Sequence, residues 1–208
     1  MTMEPIILEN VSIEKQLEME KNLLDKETRS FLLINLGPPK AIVMGSSQKE
    51  EEVIHLEKAS KIPIIRRFSA GGCVMLDKDT IMVTFIMNKK EVGIDLFPLS
   101  IMKWTEKFYQ NCLSIPSFSL VDNDYAIENK KVGGNAQYIK KDRFLHHSSF
   151  LWDYNKEHMD VLKHPPKEPC YRKGRPHHEF LTTLRPHLTK EAFIEAISQG
   201  VLKDQIYG

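Results

Sequence analysis

The chain has 208 residues, 29 Lys+Arg against 28 Asp+Glu, and a formal net charge of +1. That length is enough to bury roughly 70% of the unfolded surface, and 41% apolar residues place the chain with globular rather than disordered proteins. The near-zero charge excludes a protein that works by global attraction to nucleic acid, so a charge-driven site must be local. In chain order, Ser12 caps a predicted helix to about Asp25, with Ile13, Leu17, Leu23 and Leu24 near helical spacing. Phe31 to Leu36 reads as a buried strand stopped by Gly37-Pro38-Pro39, and Ala41 to Met44 as its short partner. A charged helix is expected from about Lys49 to Ser60, then a strand from Ile62 to Arg67. Cys73 to Asp77 and Ile81 to Met87 read as a hairpin around Lys78-Asp79-Thr80. Ser100 to Leu113 is amphipathic, with Ile101, Trp104, Phe108 and Cys112 on one stripe. Strands are expected at Asp124 to Glu128, Gln137 to Ile139 and Phe144 to Trp152, with a short helix near Asn155 to Leu162. A last helix runs from a Thr189 cap to about Gln199, ended by Gly200. Connections after Arg67 are mostly too short for parallel crossovers, so the expected class is α+β: a mixed, mostly antiparallel sheet flanked by helices.

The apolar runs Phe31 to Leu36 and Ile81 to Met87 are too short to cross a bilayer. An N-terminus with Glu4, Glu9, Glu14, Glu18 and Glu20 against Lys15 is wrong for a signal or transit peptide. Cys73, Cys112 and Cys170 have no CxxC spacing and fit a reducing compartment. The expectation is one domain over residues 1–208, cytoplasmic, with no membrane or nucleic-acid partner.

Four segments carry candidate chemistry. Arg66-Arg67-Phe68-Ser69-Ala70-Gly71-Gly72 joins two strands; its glycines allow positive φ and close backbone approach, and an adjacent arginine can fork a phosphate or carboxylate. Strand alternation sends the two arginines to opposite faces, so at most one enters a shared site. In Lys130-Lys131-Val132-Gly133-Gly134-Asn135-Ala136 a lysine precedes a Gly-Gly turn, where it can serve as a fixed positive charge or simply end a hairpin. In Phe144-Leu145-His146-His147-Ser148-Ser149-Phe150-Leu151, alternation puts His146, Ser148 and Phe150 on one face and His147, Ser149 and Leu151 on the other. The fourth is Lys163 to His187, with five prolines, four histidines and six Lys/Arg against Glu168 and Glu179, a local charge of +4. It reads as a basic loop over an anion or acidic partner, or as a solvated excursion. Cys170 within it is a candidate nucleophile, its thiolate favoured by neighbouring cations.

In order and spacing these segments, with Asn123-Asp124 between them, resemble the lipoate–protein ligase A family, whose motifs read roughly RR-x-S-GGG-x-V-x-x-D, ND, RK-[IV]-x-G-x-A and HHG[ST]LL. Gln16-Leu17 and Glu20 also resemble the family's opening helix. The resemblance covers about residues 5 to 187. It implies a biotin/lipoyl-ligase (class II synthetase-like) catalytic fold. It also implies two-step chemistry: ATP and Mg activate lipoate or octanoate as acyl-adenylate, and a lysine of a lipoyl-carrier domain (a dehydrogenase E2 subunit or the glycine-cleavage H protein) accepts the acyl group. Lys131 would be the catalytic lysine. Arg67, Ser69, Gly71, Gly72, Cys73, Gly134, Asn135, Ala136, His147 and Ser149 would bind the substrate. Asp77 and Asp124 would meet the adenylate together with Lys131, and Asp124 would meet Mg. Ala70 replaces the first glycine of the family's triplet and Lys78-Asp79-Thr80 its Leu-Gly-Asn. Ser148 replaces a glycine, which would add a side chain to a pocket wall kept bare in the family. The chain ends about twenty residues past the basic segment, so a bare catalytic core without the family's small accessory domain is expected, with a separate protein as a candidate accessory partner. Two other readings remain: an ATP-independent octanoyl- or lipoyl-transferase using Cys170 as acyl-enzyme nucleophile, and a non-catalytic module that holds lipoyl-adenylate or a carrier domain.

Overall fold

The structure is a computed structural model that describes residue 3, residues 5–165 and residues 167–202. Two sheets share the chain. The larger has seven strands in the order β1 (Pro5–Glu9), β2 (Phe31–Leu36), β6 (Thr80–Asn88), β10 (Arg143–Leu151), β9 (Lys130–Ile139), β8 (Asp124–Ile127) and β7 (Phe118–Val121). Only β1 and β2 run parallel in it; every other pair is antiparallel. The smaller sheet orders β4 (Ile64–Arg66), β3 (Ala41–Met44) and β5 (Val74–Leu76), with β3 parallel to β4 and antiparallel to β5. The expected mixed, mostly antiparallel α+β class is the class observed.

Helix α1 (Ile13–Lys26) starts where Ser12 Oγ accepts the Lys15 N–H. It lies between the sheets: Ile13 and Leu17 pack with Ala41, Val43 and Leu76, and Leu24 with Leu33, Ile86 and Leu145. The opposite face of the large sheet is closed by α4 (Pro98–Leu113) and α7 (Lys190–Leu202), whose Ile101, Phe108, Tyr109, Phe193 and Ile197 join Phe85, Tyr125 and Phe150 in the main core.

Several sequence expectations are corrected. β5 and β6 do not form a hairpin. β6 is buried along almost its whole length and already has β2 and β10 as neighbours, so β5 has no edge to join there and pairs with β3. The charged helix is one turn, α2 (Glu50–Val53), because Ile54 bridges Leu162 and the His55 N–H bonds Val161 O. Gly200 does not end α7 but sits inside it; a Cβ there would lie 2.3 Å from Cys112 Sγ, so the glycine serves α4–α7 contact. β9 begins at Lys130 rather than Gln137, and the Gly133-Gly134 pair is strand, not turn. β1 and β7 have no counterpart among the sequence expectations. The remaining short helices are α3 (Lys89–Val92), α5 (Lys156–Met159) and α6 (His177–Phe180).

Candidate active site

The site grows from an irregularity in β9. Asp124 pairs with Gly134 and Tyr125 with Gly133, but Ala126 pairs with Lys131, leaving Val132 outside the register. A bulge adds one residue and re-aims the side chains beyond it. Val132 is fully buried in the main core, and a Cβ on Gly133 would lie 2.9 Å from Phe150, so both abut the core. Lys131 thereby moves to the opposite face, beside Gly134. A Cβ on Gly134 would sit 3.4 Å from Lys131 Nζ and 3.6 Å from Ser149 Oγ, so the ammonium lies over bare backbone. Lys131 Nζ reaches Asp124 Oδ1 at 2.7 Å, and the main-chain Lys131 O accepts the Thr182 N–H at 2.8 Å.

The glycine loop after β4 docks on the same face. Arg66 and Arg67 diverge as alternation requires. Arg66 Nη1 donates to the carbonyls of Gly45, Ser46 and Gln48, whereas Arg67 is buried beneath its own loop. Arg67 Nη2 donates to Ala70 O at 3.1 Å and Nη1 to Val43 O at 3.5 Å, while the buried Nε has no partner among the described residues. Burial pushes Arg67 down to about 10, so it remains a cation at neutral pH. Gly71 makes this possible: its φ of +116° suits glycine alone, and a Cβ there would be 2.7 Å from Arg67 Nη2 and close to Ala136. The loop also passes so near Gly45 that a Cβ at that position would meet Gly71 O at 2.1 Å. Gly72 faces open space.

Below the loop runs a buried polar chain. Ser69 Oγ lies 3.4 Å from His147 Nε2, and His147 Nδ1 lies 3.4 Å from Glu20 Oε2. Glu20 Oε1 accepts from Thr84 Oγ1 (2.6 Å) and Gln16 Nε2 (2.8 Å), and Gln16 Oε1 accepts from Asn35 Nδ2 (2.8 Å). Ser69, Glu20, Gln16, Thr84 and Asn35 are all fully buried, so this chain satisfies groups that water cannot reach.

Residues expected at the site divide accordingly. Arg67, Ser69, Gly71, Ala136 and His147 are gathered around the loop, and Lys131, Asp124, Gly134 and Ser149 around the bulge, on the same face of β9 and β10. Asn135 contributes only its carbonyl to the Gly71 side. Its side chain faces α4, where Oδ1 accepts from Ser148 Oγ at 2.9 Å, and Nδ2 donates to Asn123 O. Ser148 faces the same way, opposite His147 as alternation predicts, and accepts from Tyr109 OH. Cys73 borders the small-sheet core, and burial pushes its thiol up to about 12. Asp77 does not join either group: Oδ2 lies 3.0 Å from His158 Nδ1 and Oδ1 accepts the Asp79 N–H, beside a cavity of about 490 Å³ lined by Gly37, Lys78, Asp153 and Tyr154. Asp124 has both oxygens engaged, the second by Tyr171 OH at 3.1 Å. Among the described residues no group of three His, Cys, Asp or Glu side chains is disposed to hold a metal ion.

The basic segment is anchored on this hairpin edge, Pro166 alone lying outside the described residues. Arg172 and Arg175 flank the Phe180 ring at 5.0 and 5.3 Å, and Arg172 Nη2 is buried without a partner among the described residues. Cys170 is exposed, and its N–H donates to Asp122 Oδ2. Sequence reasoning missed Tyr171, Thr182 and Gly45 and gave Glu20 no role. Glu20 had a legible signal: with Ile13, Gln16, Leu17 and Leu24 it shares the buried helix face.

A family model for the lipoyl protein ligase A/B catalytic domain matches residues 7–205. A Plasmodium falciparum protein named inactive lipoate–protein ligase 2 is 29% identical over 205 residues, covering 78% of this chain and 53% of that protein. A crystal structure of lipoate–protein ligase A bound with ATP superposes with a TM-score of 0.80 at 18% identity, covering 96% of this chain and 84% of that one. The bipartite lipoate ligase of Thermoplasma acidophilum, described with its E2 lipoyl domain, gives 0.76 at 19% identity over 99% and 85%. The chain spans about half the length, or less, of the curated relatives it matches. It belongs to the lipoyl protein ligase A/B catalytic-domain family and has the biotin/lipoyl-ligase fold.

Proposed function

We propose that this family member is an ATP-dependent lipoate–protein ligase core, active on lipoate or octanoate. In the first step a carboxylate oxygen of the acid attacks the α-phosphorus of ATP and the bond to pyrophosphate breaks. In the second, the neutral amine of a carrier-domain lysine attacks the acyl carbonyl, AMP leaves, and the amine proton passes to solvent; the amine's unperturbed pKa near 10.4 makes its deprotonated form scarce at pH 7. The observation that carries this reading is Lys131, aimed by the bulge over the bare backbone of Gly134 and fixed 2.7 Å from Asp124. A fixed cation where charge develops on the acyl and bridging phosphate oxygens is worth about 3–4 kcal/mol per donor in comparable sites. Arg67, cationic and with an Nε that has no partner among the described residues, sits one loop away. Gly72, with open space where a side chain would stand, leaves the loop backbone there open to an adenylate. Mg²⁺ would arrive on the nucleotide, with phosphate and water oxygens as most of its ligands.

A second reading, a non-catalytic module that binds lipoyl-adenylate or a carrier domain, draws support from the name of the Plasmodium relative. The exposed Cys170 offers less to a thioester enzyme: its hydrogen bond to Asp122 runs through its own N–H, which fixes the backbone and does nothing to activate the thiol. Single-turnover adenylation with lipoate, octanoate and biotin, followed by addition of an apo lipoyl domain, separates them. Acyl-AMP formation and transfer are expected. Tight lipoate binding without adenylate selects the binding module, and transfer from an acyl thioester that vanishes in Cys170→Ser selects the transferase.

A further inference from the structure

The basic segment grips the β7–β8–β9 meander at four points. Cys170 N–H donates to Asp122 Oδ2 (2.9 Å), Tyr171 OH to Asp124 Oδ2 (3.1 Å), Arg175 Nη2 to Asn129 O (2.8 Å) and Thr182 N–H to Lys131 O (2.8 Å). Two of these bear directly on Lys131: Thr182 holds its main chain, and Tyr171 holds the carboxylate that holds its ammonium. Between them, the ring of Phe180 packs 5.0 Å from Tyr171 and carries both arginines, and Leu181 forms a bridge with Lys131, so the strap is itself packed rather than draped.

We infer that Tyr171 is a positioning residue for Lys131, acting through Asp124: its phenol fixes one carboxylate oxygen so that the other presents the lysine to the reacting atoms. A carboxylate held by the lysine alone could rotate about its side chain and carry the ammonium with it, and an oxygen-bound phenol removes that freedom. The phenol donates and the carboxylate accepts, so the contact has a fixed polarity. The inference rests on the ligase reading for its rate consequence, but not for its geometric one.

The test uses the full chain as wild type, Tyr171→Phe, Asp124→Asn and the double variant. Phe keeps the ring against Phe180, and melting curves confirm folding. Tyr171→Phe is expected to lower the adenylation rate about ten- to a hundredfold, the range for a hydrogen bond to a charged group, with KM for ATP within about twofold. The double variant should be no slower than Asp124→Asn, because two residues acting through one contact are not additive. In parallel, lysine labelled with ¹³C at Cε, with the Lys131 signal assigned from Lys131→Arg, should give two inequivalent ε-proton resonances in wild type that merge in each variant. Additive rate losses, or an unchanged Lys131 signal in Tyr171→Phe, would overturn the inference. If wild type itself forms no adenylate, the ligase reading fails while the resonance series still decides the positioning role.

Discussion

His146 and His147 are neighbours on β10 and face environments that ask different things of an imidazole. His146 is fully buried against α4, with Gln137 Nε2 at 3.0 Å from Nδ1 and Ser148, Tyr125 and Thr105 hydroxyls at 3.2, 3.3 and 3.4 Å from Nε2. Burial, with His147 adding to it, pushes it down to about 3, so it is a neutral packing residue. His147 looks the other way, between the Glu20 carboxylate and the Ser69 hydroxyl under the glycine loop. The His146 face ties its imidazole into internal partners, though the buried Gln137 Oε1 beside it has none among the described residues. The other leaves Lys131 over bare backbone and Arg67 Nε without a partner among the described residues. What marks the second face as the one with something left to bind is its pair of cations, one over bare backbone and one beneath a glycine loop.

The largest effect expected from breaking that contrast is on the open face. Lys131→Ala should lower adenylation and transfer by about 10²–10³-fold, as for loss of a preorganised charge donor, measured by single-turnover release of AMP and pyrophosphate. Adenylation at the wild-type rate would remove Lys131 from the chemistry. Gly71→Ala comes next. At φ +116° with Arg67 Nη2 2.7 Å from the new Cβ, it should displace the loop and cost about 1–3 kcal/mol, read in urea unfolding together with lipoate affinity.

On the closed face the effect is on stability and depends on pH. His146 titrates near 6.5 when unfolded and about 3 when folded. Between those values the unfolded chain binds the extra proton, so stability is complete above pH 6.5 and falls as pH falls, by up to about 1.4 kcal/mol per unit. Urea midpoints should fall from pH 7 to 4.5 in the wild type and fall less steeply in His146→Asn, where His177, pushed down to about 4 by burial, still titrates; equal slopes would place the titration elsewhere. The smallest effect is expected from Ser148→Ala, which removes the hydroxyl that bonds Tyr109, His146 and Asn135. It should cost about 1 kcal/mol of stability, with KM for the acid unchanged. A shifted KM would return Ser148 to the substrate wall.

Local pattern by itself determined much of this protein. Apolar runs placed β2, β3 and most of β10, a Ser12 cap placed the start of α1, and period-two alternation separated Arg66 from Arg67 and His146 from His147. Those features depend on neighbours within one or two turns of chain, as does each motif by which the chain resembles its family. Tertiary structure decided what alternation could not. Read by strict alternation, Lys131 falls with Gly133 against the core; only the bulge at Val132, set by the register of β8 against β9, turns the lysine to the other face. It also decided that Gly45 must lack a side chain because Gly71 crosses it, that Gly200 serves helix packing, and that Tyr171, 40 residues beyond Lys131 in the chain, closes on Asp124. Register and crossings between distant segments are set by what each surface buries against, and no short window of sequence contains both surfaces.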